Sequence, residues 1–466
     1  MARIVDSKKA CTVNPLKMSQ PLGASYAFLG MDACMPVMHG SQGCTSFGLV
    51  LLVRHFREAI PLQTTAMNEV STILGGYENI EKALVNIHKR TNPQLVGICS
   101  TGLTETKGDD VEGFLRLIRD KHPEFDRMEI VYVSTPDYAG AFQDGYAKTV
   151  TALVQALTVP TDLKLGNVIN LLPGSHLTPG DIEELREIVE AFGLTPVFLP
   201  DHSASLDGHI PQDFTPTTLG GTPVEAVRSL GSARATLAIG EQMRSAALEI
   251  EMLTGVPYQV FDRLTGLEAS DRLMQTLSQI AGVAVPGKYR RQRSQLIDAM
   301  MDAHFMTGGK RVAIGAEPDL LYGIGQFLHE MGAQIVACVT TTHSPVLEGM
   351  HCEEVLVGDL EDLEQRAQGC DLLITHAHGR QAAERLGIPL HRVGIPCFDR
   401  LGNAHRVSVG YRGTRNLAFE FGNIFLAHEH QHYPGEWPLP AESLAAARAE
   451  PKAETSGSGG YDCVPA

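Results

Sequence analysis

Of the nine cysteines in this 466-residue chain, one stands among residues suited to chemistry. Cys44 closes the string His39-Gly40-Ser41-Gln42-Gly43-Cys44 and is followed by Thr45-Ser46-Phe47-Gly48. The glycines open backbone conformations closed to other residues and let a bulky group approach the main chain. Ser41, Gln42, Thr45 and Ser46 supply hydrogen-bond donors. The run from Leu49 to Phe56 reads as a buried helix or strand, which puts Cys44 on a turn leading into a regular element. Backbone N–H groups at such a turn favour a thiolate. That setting suits a soft metal or an iron–sulfur cluster, and a structural cysteine in a tight turn is the plainer alternative. One cysteine cannot hold a four-iron cluster, so any such site recruits ligands from elsewhere.

Other residues are weaker candidates. Positions 11, 34, 99, 338, 352, 370, 397 and 463 complete an odd, scattered set without a Cys-x-x-Cys pair, which excludes a zinc knuckle or a redox dithiol. Gly323-Ile324-Gly325 lies in a helical pattern with Leu328 where a dinucleotide fingerprint needs its third glycine, so helix packing explains it better. Gly308-Gly309-Lys310 lacks the rest of a phosphate loop. His428, His430 and His432 close a helical stretch, where metal binding competes with the preference of cations for a helix C-terminus. His343, His351, Cys352, His376 and His378 fall near strand ends, the usual ligand position in open α/β sheets, with no carboxylate and nucleophile pairing that defines a reaction.

The elements that position these residues follow a repeated rhythm. Leu95 to Ser100 and Glu129 to Ser134 read as strands enclosing a helix opened by Asp109 and Asp110. The rhythm restarts at Asn167 and again at Arg311. At ~150 residues per domain, the length also points to three units. The expected fold is α/β, with three Rossmann-like parallel-sheet domains around a central cleft. The expected boundaries are 1–160, 161–305 and 306–432, with a flexible tail over 433–466. Residues 1–35 read as a loosely structured leading segment ending in the small, close-packing run Gly23 to Gly30.

Composition narrows the function classes. A net charge of −16 argues against a nucleic-acid or anionic-membrane surface. The N-terminus has no apolar core of a signal peptide, and no run of 18 apolar residues spans a membrane. With its unpaired cysteines, the chain fits a reducing cytoplasm.

Read together, Ser19-Gln20-Pro21-Leu22-Gly23-Ala24, Met35 to Cys44 and Gly108-Asp109-Asp110 resemble the nitrogenase component 1 superfamily, most closely its β-type chains. The resemblance runs from about residue 15 to residue 430. It implies three α/β domains facing a shared cleft. In catalytic β chains of that family, three cysteines hold half of an eight-iron cluster at the subunit interface. Here those positions are Ser19, Cys44 and Gly102, so one thiolate of three remains.

That departure resembles the family's scaffold branch, on which the iron–molybdenum cofactor of nitrogenase is matured. The resemblance implies that Cys44 gives iron one ligand of a [4Fe-4S] cluster whose other ligands come from the partner. It further implies an α-type partner, NifE, in an α2β2 heterotetramer, with the cofactor precursor held transiently and mainly by that partner. By the same resemblance, the nitrogenase iron protein is expected to dock transiently, an upstream cluster donor to supply the scaffold, and apo-nitrogenase to receive the product. No independent catalysis is expected. The alternatives are a subunit of a light-independent protochlorophyllide reductase-like enzyme and a small-molecule binding protein.

Overall fold

The computed structural model describes residues 1–429, so His430, His432 and the proposed 433–466 tail lie outside the described residues. Three parallel sheets organise the chain. The first carries Gln63–Thr64, Cys34–His39, Leu95–Ser100 and Glu129–Val133, in that order. The second carries Thr195–Phe198, Val168–Pro173, Ala235–Ile239 and Tyr258–Phe261. The third has six strands: Arg3–Asp6, Glu354–Val357, Gln334–Thr340, Arg311–Ala316, Leu372–Thr375 and Leu390–Arg392. The central strands Cys34–His39 and Leu95–Ser100 are buried at every position, as parallel strands covered by helices on both faces must be. The fold is therefore α/β.

The leading segment differs from its expected looseness. Arg3–Asp6 forms the edge strand of the third sheet, with Arg3 opposite Glu354 and Asp6 opposite Val357. Its short apolar centre, Ile4-Val5, packs on that sheet's cores, and Arg3 pairs with Glu354 at 2.9 Å. Residues 20–29 form a helix buried along its whole length. Small residues allow this. A Cβ on Gly23 would lie 1.9 Å from the carbonyl oxygen of Phe142, and one on Gly145 would lie 2.0 Å from that of Gln20. The Gln20–Leu29 and Phe142–Leu157 helices thus cross almost backbone on backbone. Tyr26 stacks on His202 of the second unit at 4.0 Å between centroids, and one continuous apolar core joins the first and second sheets.

The long helices Gly287–Thr307 and Gly410–Glu429 pack side by side, with Gly422 against Ala303. Met300 from the first of them packs on the cores of both the second and third sheets. A cleft of about 740 Å³ opens where strands of all three sheets end, lined by Ser134, Gln242 and His343 among others. Gly323 and Gly325 lie within the helix Pro318–Glu330, and a Cβ on Gly325 would fall 2.5 Å from Met350 Cε, so close packing accounts for that glycine. Among the described residues no helix is long and apolar enough to cross a membrane.

Candidate cluster site

The strand Cys34–His39 delivers the chain to a laced corner. Thr101 and Thr104 both donate hydroxyls to the His39 carbonyl, at 3.0 and 3.1 Å. The Gly40 N–H donates to Thr65 Oγ1 at 3.1 Å, and the same hydroxyl meets His39 Nδ1 at 2.9 Å. A Cβ on Gly40 would come within 2.3 Å of Thr101 Oγ1, so only glycine lets the two strand ends meet here. His39 is fully buried, and that burial pushes its imidazole down to about 4 despite Asp109 Oδ2 at 3.5 Å. Asp109 is held in turn by Lys107 at 2.6 Å, and Asp110 caps the Val111–Lys121 helix by accepting from the Gly113 N–H at 2.9 Å. The Gly-Asp-Asp string thus braces the corner from behind.

Ser41 then stands at the N-terminal boundary of the helix Gln42–Phe56 without a side-chain capping bond, which places Cys44 in the helix's first turn. The unsatisfied N–H groups of a first turn favour negative charge nearby. Ser41 Oγ lies 3.4 Å from Cys44 Sγ. A cavity of about 520 Å³ opens beside the thiol, lined by Met18, Ser19, Leu22, Phe47, Thr101 and Asp137, with His378 reaching in from the third unit. Ser19 and Cys44 therefore share one cavity. Gly102 adjoins it, donating its N–H to Asp137 Oδ2 at 3.0 Å. Gln20 shapes the same wall by donating its side-chain amide to Pro136 O at 3.1 Å and to Ala139 O. Burial raises the Asp137 carboxyl, opposed by the Gly102 hydrogen bond and by the charge of Lys17, and burial lowers the His378 imidazole.

Among the described residues, Cys44 is the one cysteine lining this cavity. Cys34 and Cys99 are fully buried in the core, which raises both thiols, and Cys11 is exposed outside the cavity lining. Of the strand-end histidines, His343 meets Asp6 at 2.8 Å, His351 meets Gln326 at 3.1 Å and His376 meets the Leu16 carbonyl at 3.0 Å. Cys352 packs on the third core, and His428 meets Ile424 O within its own helix at 2.8 Å. His378 alone of these joins Cys44. Asp137, Lys17 and His378 escaped the sequence reading as neighbours of Cys44, and only their positions just after or before regular elements hinted at function.

The Leu49–Phe56 run is helical but not buried throughout. Gly48, Leu51, Leu52 and Phe56 face the core, whereas Phe47 and Val50 are 67% and 50% exposed and Val53 is also exposed. The Glu69–Leu74 helix adds exposed Val70, Ile73 and Leu74. Of these exposed residues, Phe47 also lines the cavity.

The donor set decides which group would fit. It holds one soft thiol, with Ser19, Asp137 and His378 as harder neighbours, and a glycine at 102 that cannot ligate. A Cβ on Gly48 would sit 3.0 Å from Met38 Cε and 3.4 Å from Leu22 Cδ1, so this glycine keeps the helix close to the cavity floor, and Gly43 is open on its outer side. These residues fit one corner of a four-iron cubane completed from outside the chain. They do not fit a larger cluster, which needs more thiolate.

A family model for nitrogenase component 1 type oxidoreductases matches residues 19–426. The nitrogenase iron-molybdenum cofactor biosynthesis protein NifN of Bradyrhizobium diazoefficiens is 58% identical over 445 residues, 94% of this chain and 95% of that protein. The NifN of a Nostoc species is 51% identical over 429 residues, covering 92% and 96%. Among solved structures, a chain of nitrogenase Cp1 at pH 6.5 matches with a TM-score of 0.87 at 32% identity, over 94% of this chain and 98% of that one. A chain of nitrogenase Cp1 at pH 5 shares the fold, with a TM-score of 0.68 at 12% identity. The three-sheet frame is thus that of a known architecture, and the chain belongs to the nitrogenase component 1 family.

Proposed function

We propose that this chain is the β-type subunit of the scaffold complex on which the precursor of the nitrogenase iron–molybdenum cofactor is matured before transfer to apo-nitrogenase. Cys44 supplies one thiolate to a [4Fe-4S] cluster at the subunit interface, and three cysteines of the α-type partner, NifE, complete it in an α2β2 tetramer. The precursor rests mainly on the partner, and the nitrogenase iron protein docks transiently. The chain serves assembly rather than catalysis. The observation that carries this reading is the single thiol at a cavity whose other family ligand positions are Ser19 and Gly102. The names of its relatives favour cofactor assembly over tetrapyrrole reduction.

When bound, the cluster supplies one-electron transfer. The chain's own residues prepare its seat. Ser41 Oγ–H is placed to donate to the thiolate, Phe47 and Leu22 line the cavity's apolar side, and the Ser19 hydroxyl offers a further donor to cluster sulfur. In the complex co-expressed with its partner and kept anaerobic, Cys44→Ala lowers iron by up to one cluster per heterodimer and removes or alters the paramagnetic signal of the reduced state. Alanine at Cys11, Cys34 or Cys99 leaves that signal unchanged. An intact iron count and spectrum in Cys44→Ala overturns the assignment.

A further inference from the structure

A second crevice, of about 320 Å³, lies away from Cys44 between the second and third units. It sits beyond the C-terminal ends of strands of two parallel sheets at once, beside the first turns of the helices Pro179–Glu190 and Pro318–Glu330. Such strand-end crevices are where open α/β sheets take ligands, and the volume suits a small metabolite. Its mouth is formed by exposed His405 and Asn416, and its floor by buried Asp319.

Two observations make this a built site. The first is the floor. Asp319 is fully buried, and Gln242 donates both its backbone and its side-chain N–H to Oδ2, at 3.1 and 2.8 Å. Oδ1 has no partner. A buried carboxylate oxygen without a donor is costly, and a ligand's donor would relieve it. The second is the wall. Arg400 and Arg406 share the single carboxylate of Glu420, at 2.7 and 3.0 Å, so two cations face one anion. His391 accepts from Arg406 at Nε2, 3.1 Å away, which leaves its proton on Nδ1, fully buried, facing Glu420 Oε1 at 3.7 Å and without a hydrogen bond. Asp181, the other acid of the lining, is already taken up by the N–H groups of Thr178, Ser408 and Val409. Two arginines on one wall thus share a single carboxylate and an unmet acceptor lies on the floor, in a lining whose three arginines and three acids balance overall.

We propose that this crevice binds a small organic acid carrying a hydrogen-bond donor beside its carboxylate. The carboxylate lies on the Arg400–Arg406 wall, and a hydroxyl or ammonium group meets Asp319 Oδ1. This site is independent of the cluster seat, and nothing in the proposed function requires it.

Calorimetric titration of the purified complex with succinate, malate and aspartate tests the proposal, since the last two add a hydroxyl or an ammonium to the same carbon frame. Malate or aspartate is expected to bind saturably and roughly tenfold more tightly than succinate. Asp319→Asn is expected to erase that preference, because its amide oxygen takes the Gln242 bonds and its NH2 turns into the crevice. Asn416→Trp changes an exposed position at the mouth and tests the site without touching the floor; it is expected to weaken all binding while the melting curve stays put. The proposal is overturned if none of the three acids binds, if all three bind equally, or if the folded Asn416→Trp complex binds as the parent does.

Discussion

Gly40 shows how little room the cysteine corner has at the level of single residues. A methyl group there would displace Thr101, whose hydroxyl holds the His39 carbonyl. Gly40→Ala is therefore expected to cost about 1–3 kcal/mol in unfolding free energy and to lower cluster iron with it. Gly43→Ala, with only Ser41 Oγ at 3.9 Å, is the matched control and should change neither the unfolding curve nor the iron count. The histidines give a second test. Burial pushes His39, His55, His176, His202 and His376 down to about 4 and His391 to about 3. A histidine whose folded pKa is depressed favours the folded state above its unfolded value of about 6.5, and that contribution is lost as pH falls through the folded value. Glu317 and Asp319, raised by burial to about 8 and about 6, act in the opposite sense, binding protons in the folded state. The histidines lowered by burial, His351 and His378 among them, outnumber the acids raised by it, which also include Glu58, Asp137, Asp181 and Glu184, so acid destabilisation dominates below pH 6.5. The melting temperature is expected to fall steadily from pH 6.5 to pH 4.5, and His202→Gln should flatten that slope by removing one buried imidazole.

The helix Gln42–Phe56 is where sequence and structure diverge most usefully. Its string of Leu, Val and Phe residues carries apolar side chains on both faces, and from pattern alone both faces look like core. The structure buries one face and exposes Phe47 and Val50. Residues destined for a subunit interface have the composition of an interior, so a single chain's sequence cannot tell the two apart. Phe47→Asp or Val50→Asp should leave the melting curve of the chain nearly unchanged yet weaken association with the partner by about thirtyfold or more, measured by co-purification over a dilution series. A loss of folding in these variants would mean that the outer face is packed internally after all. By contrast, the Gln20–Leu29 helix was legible in part. Its glycine and alanines announced close packing, but which helix lay against it depended on Gly145, more than a hundred residues away.

At the scale of the whole molecule, the three-unit rhythm and the Cys44 corner were readable because each is written in contiguous residues. Contacts between distant segments were not. Nothing local joins His378 to Cys44, Asp137 to Gly102 or Arg3 to Glu354, since each pair is fixed only once the sheets are assembled. The leading segment is the clearest case. It starts as the edge strand of the third sheet, passes Lys9 into contact with Asp359 at 3.0 Å and Glu361 at 2.6 Å, and ends as a wall of the cavity beside Cys44 at Lys17 to Ser19. Deleting residues 2–9 should therefore lower both the melting temperature and the iron content, although every deleted residue lies outside the cavity lining.

That path also orders events in time. The strand Arg3–Asp6 leaves the ribosome well before its pairing partner Glu354–Val357, and the cavity beside Cys44 lacks its His378 side until that residue is made. At roughly 5–20 residues per second of synthesis, the N-terminal strand waits on the order of twenty to seventy seconds for its partner. The four strands of the first unit's sheet all lie before residue 134, whereas the cavity beside Cys44 stays incomplete through most of translation. If Cys44 seats a cluster as proposed, loading would thereby be restricted to finished chains, and a stalled or truncated product would present Cys44 without its surroundings.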